Sequence, residues 1–206
     1  DHTSFEQGAM AEPAACCLHG IDLCGIRPGQ QVVVIGGGMI GLLMVQLSRL
    51  AGASKVALLE PVEKKREMGK ALGADVCIDP LSEDVERRLG EAGMTWIRTV
   101  IECAGLPATM EQAVGIAGKK ATVMFFGLTK PDASISVRPF EIFRKELALK
   151  ASYINPATQQ RALQLIDSGR LDVESMVCGR VGLEGLEAVL REPKLRAEGK
   201  YIVVTD

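Results

Sequence analysis

Aromatic residues are scarce in this 206-residue chain: five Phe, two Tyr and one Trp, or 4% of the whole. A core must therefore rest on aliphatic side chains, and with 47% apolar residues there is ample material for one. Neither sign of charge dominates: the net charge is −2 and no basic cluster stands out, so the electrostatic footprint of a nucleic-acid binder is missing. Every apolar run is broken by glycine or charge well short of the roughly 20 residues that a membrane helix needs. No CxxC pair and no His/Cys ligand spacing links the six cysteines at 16, 17, 24, 77, 103 and 178. They read as reduced core thiols rather than a disulfide framework, and a zinc cluster built from this chain alone is not expected. No charged-apolar-small leader opens the sequence, which starts at Asp1 rather than Met. The expectation is a trimmed chain or a fragment of a cytoplasmic protein. Internal repeats and low-complexity tracts are absent as well.

What is present is a strand–helix rhythm. A helix from Glu12 to about Cys24 is ended by "GIRPGQ", and the strand Gln31–Ile35 follows. After a glycine turn comes an apolar helix, then the strand 55–60 and an amphipathic helix over 61–75 with Pro61 in its first turn. Further strands are expected at 76–79, 97–105 and 119–127, with helices between them at 82–93, capped by Ser82, and at 108–118. Beyond Gly127 the pattern loosens: an edge strand Ser134–Val137 between Pro131 and Pro139, a strand over 146–154, helices over 156–169 and 183–192, and a last strand over 200–206. Val- and Ile-rich strands alternating with helices imply an α/β fold with a doubly wound parallel sheet.

At the first crossover stands Gly36-Gly37-Gly38-Met39-Ile40-Gly41. Gly36 permits a tight turn, Gly38 lets backbone approach a pyrophosphate, and Gly41 allows close helix–strand packing. The helix that opens there offers unpaired N–H groups and a partial positive charge. Glu60 ends the next strand nineteen residues after Gly41. A carboxylate there accepts both ribose hydroxyls of NAD and repels a 2′-phosphate. Lys64, Lys65 and Arg66 pull toward NADP, unless they are only the solvated face of a helix.

Three blocks then carry a resemblance: residues 5–53, "IECAG" at 101–105, and "RPFEIFRKELALKASYINPATQQRALQLIDSGRLD" at 138–172. Together they resemble the zinc-dependent medium-chain dehydrogenases, within them the sorbitol, polyol and threonine dehydrogenase branch, over essentially the whole chain. The resemblance implies a Rossmann-type cofactor domain over 1–155 and a C-terminal segment over 156–206. That segment would complete the junction to an N-terminal catalytic domain which this sequence does not contain. It places Gly36, Gly38, Met39 and Gly41 at the pyrophosphate and Ile40 against the nicotinamide. Glu60 and Lys65 fall at the adenosine ribose, and Cys103 and Ala104 along the adenosine half. Phe126, Gly127 and Leu128, with Ser152 and Ile154 nearby, fall beside the nicotinamide. It places Glu12 beside a zinc ion in the intact enzyme, although an acid at a helix N-terminus needs no metal to explain it. No catalytic residue is assigned to this chain, and His19 reads as a packed helix residue.

The implied function is NAD-dependent oxidation of an alcohol (a polyol, sugar or amino alcohol) by an enzyme that also holds zinc, assembled as a homodimer or homotetramer. Two alternatives stay open. One is a zinc-free quinone or enoyl reductase, against which Glu12-Pro13 and Glu60 argue. The other is a non-catalytic NAD-binding domain.

Overall fold

The computed structural model describes residues 3–192, 195 and 199–205. Two helices open it, α1 (Phe5–Ala9) and α2 (Ala11–Cys24), and Gly25 closes α2 in the left-handed conformation at φ 65°. Strand β1 (Gln31–Ile35) leads through the glycine turn to α3 (Met39–Leu50). Then follow β2 (Lys55–Leu59), α4 (Glu63–Ala71), β3 (Val76–Ile78), α5 (Val85–Glu91), β4 (Ile97–Glu102), α6 (Pro107–Ile116) and β5 (Thr122–Phe125). The second half adds α7 (Pro139–Lys145), β6 (Ala148–Ala151), α8 (Gln159–Asp167), β7 (Val177–Val181), α9 (Leu183–Arg191) and β8 (Lys200–Val203).

Strands β1 to β6 form one sheet in the order β3-β2-β1-β4-β5-β6, every pair parallel. The doubly wound α/β architecture is thus as the alternation implies. The chain runs outward from β1 to β3 and then crosses to β4 on the other flank of β1. That reversal opens a crevice at the carboxyl ends of β1 and β4, where such sheets bind ligands.

Because successive strand residues face opposite ways, β1 feeds two cores. Val32 and Val34 pack with Leu43, Met44 and Leu47 of α3, with Ala14 and Cys17 of α2, and with Ala162 and Ile166 of α8. Val33 and Ile35 pack with Val85 and Leu89 of α5 and Ala113 and Val114 of α6. All four β1 side chains are 2% exposed or less, each contributing about 1.5–3 kcal/mol through burial.

The segment after residue 155 is tied to the first core. The Thr158 hydroxyl donates to the Ala15 carbonyl at 2.8 Å. Gln46 of α3 makes two bonds to the backbone of Asp172, both 2.8 Å. Strands β7 and β8 form a separate parallel pair, joined to α1 by the Arg180–Glu6 ion pair.

Several local expectations are corrected. Helix α5 is capped by Asp84, whose Oδ1 accepts from the Arg87 N–H at 3.0 Å, and not by Ser82. Ser134–Val137 is not a strand. Its alternation survives only as burial, with Val137 at the rim of the second core. The sheet edge is taken by β6, all four residues of which are exposed. Short elements at Phe5–Ala9, Pro139–Lys145 and Val177–Val181 were not expected. The last residue of the expected strand 200–206 lies outside the described residues.

Candidate cofactor site

The glycine turn sits at the carboxyl end of β1. Gly36 has φ 97°, and its N–H donates to the Leu59 carbonyl at 2.8 Å. A Cβ on Gly36 would stand 3.2 Å from the Ala104 nitrogen, and one on Gly41 would collide with the Gly36 carbonyl oxygen. Both positions therefore require glycine, one for its backbone angle and one for helix-to-turn contact. Gly38 differs: a Cβ there would meet nothing within 4 Å. It is the open face of the turn, and it is the N-cap of α3, whose first N–H groups receive no side-chain cap. Unpaired donors at an open helix N-terminus are a ready anion seat.

Glu60 is 5% exposed and lies against this turn. Its Oε2 accepts from the Gly37 N–H at 2.6 Å, and its Oε1 accepts from the Val62 N–H at 2.9 Å. Each oxygen keeps a further lone pair, so the carboxylate both shapes the turn and retains acceptor capacity. Arg66 is committed elsewhere, donating to the carbonyls of Glu60 and Pro61 at 2.8 and 2.6 Å. Lys64 and Lys65 instead line a cavity of about 190 Å³ with Gly37, Gly38 and Met39. From the far side of the chain, Lys200 of β8 joins them. The cavity so carries three ammonium groups and the α3 N-terminus, with one buried carboxylate beside it. This charge pattern and the uncovered face of Gly38 fit a dinucleotide pyrophosphate.

The remaining expected residues lie in loops at the carboxyl ends of β4, β5 and β6. Cys103 and Ala104 press against Gly36. Phe126 packs on α2, 2.9 Å from where a Gly20 Cβ would be. Leu128 and Ile154 are exposed apolar side chains, at 95% and 59%, and the buried Ser152 hydroxyl has no partner among the described residues. Thus Gly36, Gly38, Met39, Gly41, Glu60 and Lys65 are gathered around one turn, and the β4–β6 loops form the continuing wall of the crevice.

Two residues escaped the sequence reading. Lys200 carries no local signal, because only the fold brings β8 to the glycine turn. Glu102 did carry one, as the acid inside "IECAG". It is fully buried, and its Oε1 accepts from the N–H groups of Ala104 and Gly105 and from the Thr109 hydroxyl at 2.8–2.9 Å. The carboxylate therefore winds the 103–106 loop around itself and fixes the wall that meets Gly36.

The thiols are set by burial. Cys103 and Cys17 are pushed well above the usual thiol range by desolvation, and Cys24 to about 12 by the same cause. Burial and then a hydrogen bond to Glu12 push Cys16 up to about 11. Glu12 is exposed in the first turn of α2, with Cys16 Sγ 3.2 Å away. Among the described residues, no three His, Cys, Asp or Glu side chains converge on a metal position. The described side chains do not by themselves make a zinc site, and none of their helices is long and apolar enough to cross a membrane.

Comparison with known proteins bears on the family and the fold. A family model described as "Zinc-binding dehydrogenase" matches residues 39–168. Scyllo-inosose 3-dehydrogenase of Thermotoga maritima is 30% identical over 98% of this chain and 52% of its own length. Galactitol 1-phosphate 5-dehydrogenase of Escherichia coli is 28% identical over 97% of this chain and 60% of its own. The chain thus spans about half the length of the curated relatives it matches. Among solved structures, a Sinorhizobium meliloti protein bound to NADP superposes with a TM-score of 0.92 and 38% identity, over 97% of this chain and 59% of that one.

Proposed function

The chain belongs to the zinc-binding dehydrogenase family, and we propose that it is the NAD-binding portion of an enzyme oxidising a polyol, sugar or amino alcohol. The observation that carries this reading is the joined geometry of the glycine turn and Glu60. The open Gly38 face and the free N–H groups of α3 receive the pyrophosphate. Glu60, already bonded to Gly37, turns its remaining lone pairs to the adenosine ribose hydroxyls, with Lys65 beside it. The loops at Cys103–Ala104 and Phe126–Leu128 flank the dinucleotide, and Leu128 with Ile154 presents apolar surface that excludes water from the nicotinamide. When bound, the dinucleotide supplies the hydride acceptor. Zinc belongs to the whole enzyme in this reading, with Glu12 as the one residue of this chain that the family resemblance assigns to it.

A second reading, NADP in place of NAD, is favoured by one observation: Lys64, Lys65 and Lys200 face the same cavity, and cations there attract a 2′-phosphate. The structural relative solved with NADP is consistent with it. Against it stands the buried Glu60 carboxylate, so NAD leads.

We also place a cytoplasmic setting, the division at residue 155 and a homodimer or homotetramer within this proposal. Subunit pairing would fall at the exposed edge strand β6, because an uncovered edge invites pairing with a copy of itself. The test is alcohol-dependent reduction of NAD by the whole protein. Turnover with polyols that a chelator abolishes supports the reading. Turnover that is indifferent to chelation, or reduction of quinones or enoyl groups instead, refutes it.

A further inference from the structure

A second cavity, of about 380 Å³, lies at the opposite end of the sheet from the glycine turn, where the strands begin. Arg27, Arg98 and Lys120 line it, with Trp96, Thr99 and Thr122, and its lining includes no acid. The cluster arises from an irregularity in β4. The pairing of β1 with β4 slips between Gln31 and Val32, leaving Arg98 as an extra residue between Ile97 and Thr99. Such a bulge re-aims side chains. Accordingly Ile97 and Val100 both pack in the second core, while the consecutive Arg98 and Thr99 both line the cavity. In an unbroken strand, neighbours would face opposite ways.

Arg98 is held and yet unsatisfied. Its guanidinium lies over the Trp96 ring, 5.2 Å from the centroid, and its buried Nε has no acceptor among the described residues. Buried donors without partners are uncommon, and the guanidinium fork matches phosphate oxygens. Acids on the adjoining segments have other partners. Asp22 is paired with Arg161, and Glu146 lies 3.7 Å from Lys120 in an exposed pair. We propose that this cavity binds a compact oxyanion, either free phosphate or the phosphate group of a small metabolite. Arg98 forms its floor, and the exposed Arg27 and Lys120 its mouth.

Trp96, the only tryptophan, is a built-in reporter. The whole chain is titrated with inorganic phosphate and, in a second arm, with ribose 5-phosphate, at an ionic strength fixed with sodium chloride. Trp96 emission should change saturably. Arg98→Gln should weaken the apparent affinity at least about tenfold, and Arg27→Gln should weaken it less. Arg144→Gln, outside the cavity, should leave it unchanged. Arg98→Lys keeps the charge without the fork, so it should fall between wild type and Arg98→Gln, and it serves if the glutamine variant does not fold. Tighter binding of ribose 5-phosphate assigns the site to phosphorylated metabolites, and tighter binding of phosphate assigns it to the free ion. A response that never saturates, that survives Arg98→Gln, or that Arg144→Gln weakens equally overturns the proposal.

Discussion

Glu60→Gln separates the two roles given to that carboxylate. In the native chain Oε1 and Oε2 each accept one backbone N–H, from Val62 and Gly37, at a position 5% exposed. Glutamine keeps one acceptor oxygen and sets an NH2 against the other N–H, so one bond is lost and two donors meet. Hydrogen bonds to a charged group contribute about 1.5–3 kcal/mol, and a buried donor without a partner costs about 1–3 kcal/mol. These overlap in part, which gives a destabilisation of about 2–4 kcal/mol. At about 2–4 °C per kcal/mol for a chain of this size, Tm falls by roughly 4–16 °C. Removing the charge also removes the repulsion of a 2′-phosphate, so the ratio of NADP to NAD affinity should rise at least about tenfold, or about 1.4 kcal/mol. Circular dichroism melts and calorimetric titration with both cofactors measure the two effects. A Tm within about 1 °C of wild type refutes the carboxylate's part in shaping the turn. An unchanged affinity ratio refutes its part in cofactor choice.

The other predictions concern neighbouring parts. Gly38→Ala enters open space at φ −69°, so it should change stability by less than about 0.5 kcal/mol yet weaken cofactor binding about tenfold or more. Gly41→Ala overlaps the Gly36 carbonyl and should cost about 1–3 kcal/mol or more in a denaturant titration. Glu102→Ala strands the Ala104 and Gly105 N–H donors, while the Thr109 hydroxyl keeps the Leu106 carbonyl, and should cost about 2–5 kcal/mol, with faster hydrogen exchange at those two amides. Alkylation near pH 8, followed by mass spectrometry, should reach the exposed Cys178 first and leave Cys16, pushed up to about 11, and Cys24, pushed up to about 12, largely unmodified. Cofactor should then protect Cys178, which lines the glycine-turn cavity. The Arg180 hydrogen bond holds the Glu6 carboxyl below its usual range. The α1–β7 tether is therefore complete above the ordinary carboxylate pKa and lost as pH falls through the lowered one. Hydrogen exchange in α1 should show that acid dependence in wild type and lose it in Arg180→Gln.

The sheet was readable because burial on both faces leaves short Val-, Ile- and Leu-rich runs bounded by turn residues, as in "QVVVI", "KVALL" and "IRTVIE". The glycine turn and Glu60 were readable because their spacing is local to one βαβ unit. What escaped depends on distant pairing or on competition between neighbours. Ser134–Val137 alternates as a strand does, but β6 had already taken the edge beside β5. Asp84 and Ser82 are both capping residues, and the choice between them rests on where α5 meets the second core. Lys200 reaches the glycine turn only through the placing of β8, and the Arg98 bulge is set by register between β1 and β4. Neither leaves a trace in local sequence.

In the proposed function, the glycine turn with Glu60 is a dinucleotide seat that prefers NAD. Calorimetric titration of this chain with NAD and, separately, with NADP tests it directly. Saturable one-to-one binding is expected, with NAD the tighter ligand and with Gly38→Ala weakening it. The absence of heat with either cofactor up to millimolar concentration, or tighter binding of NADP, would contradict it.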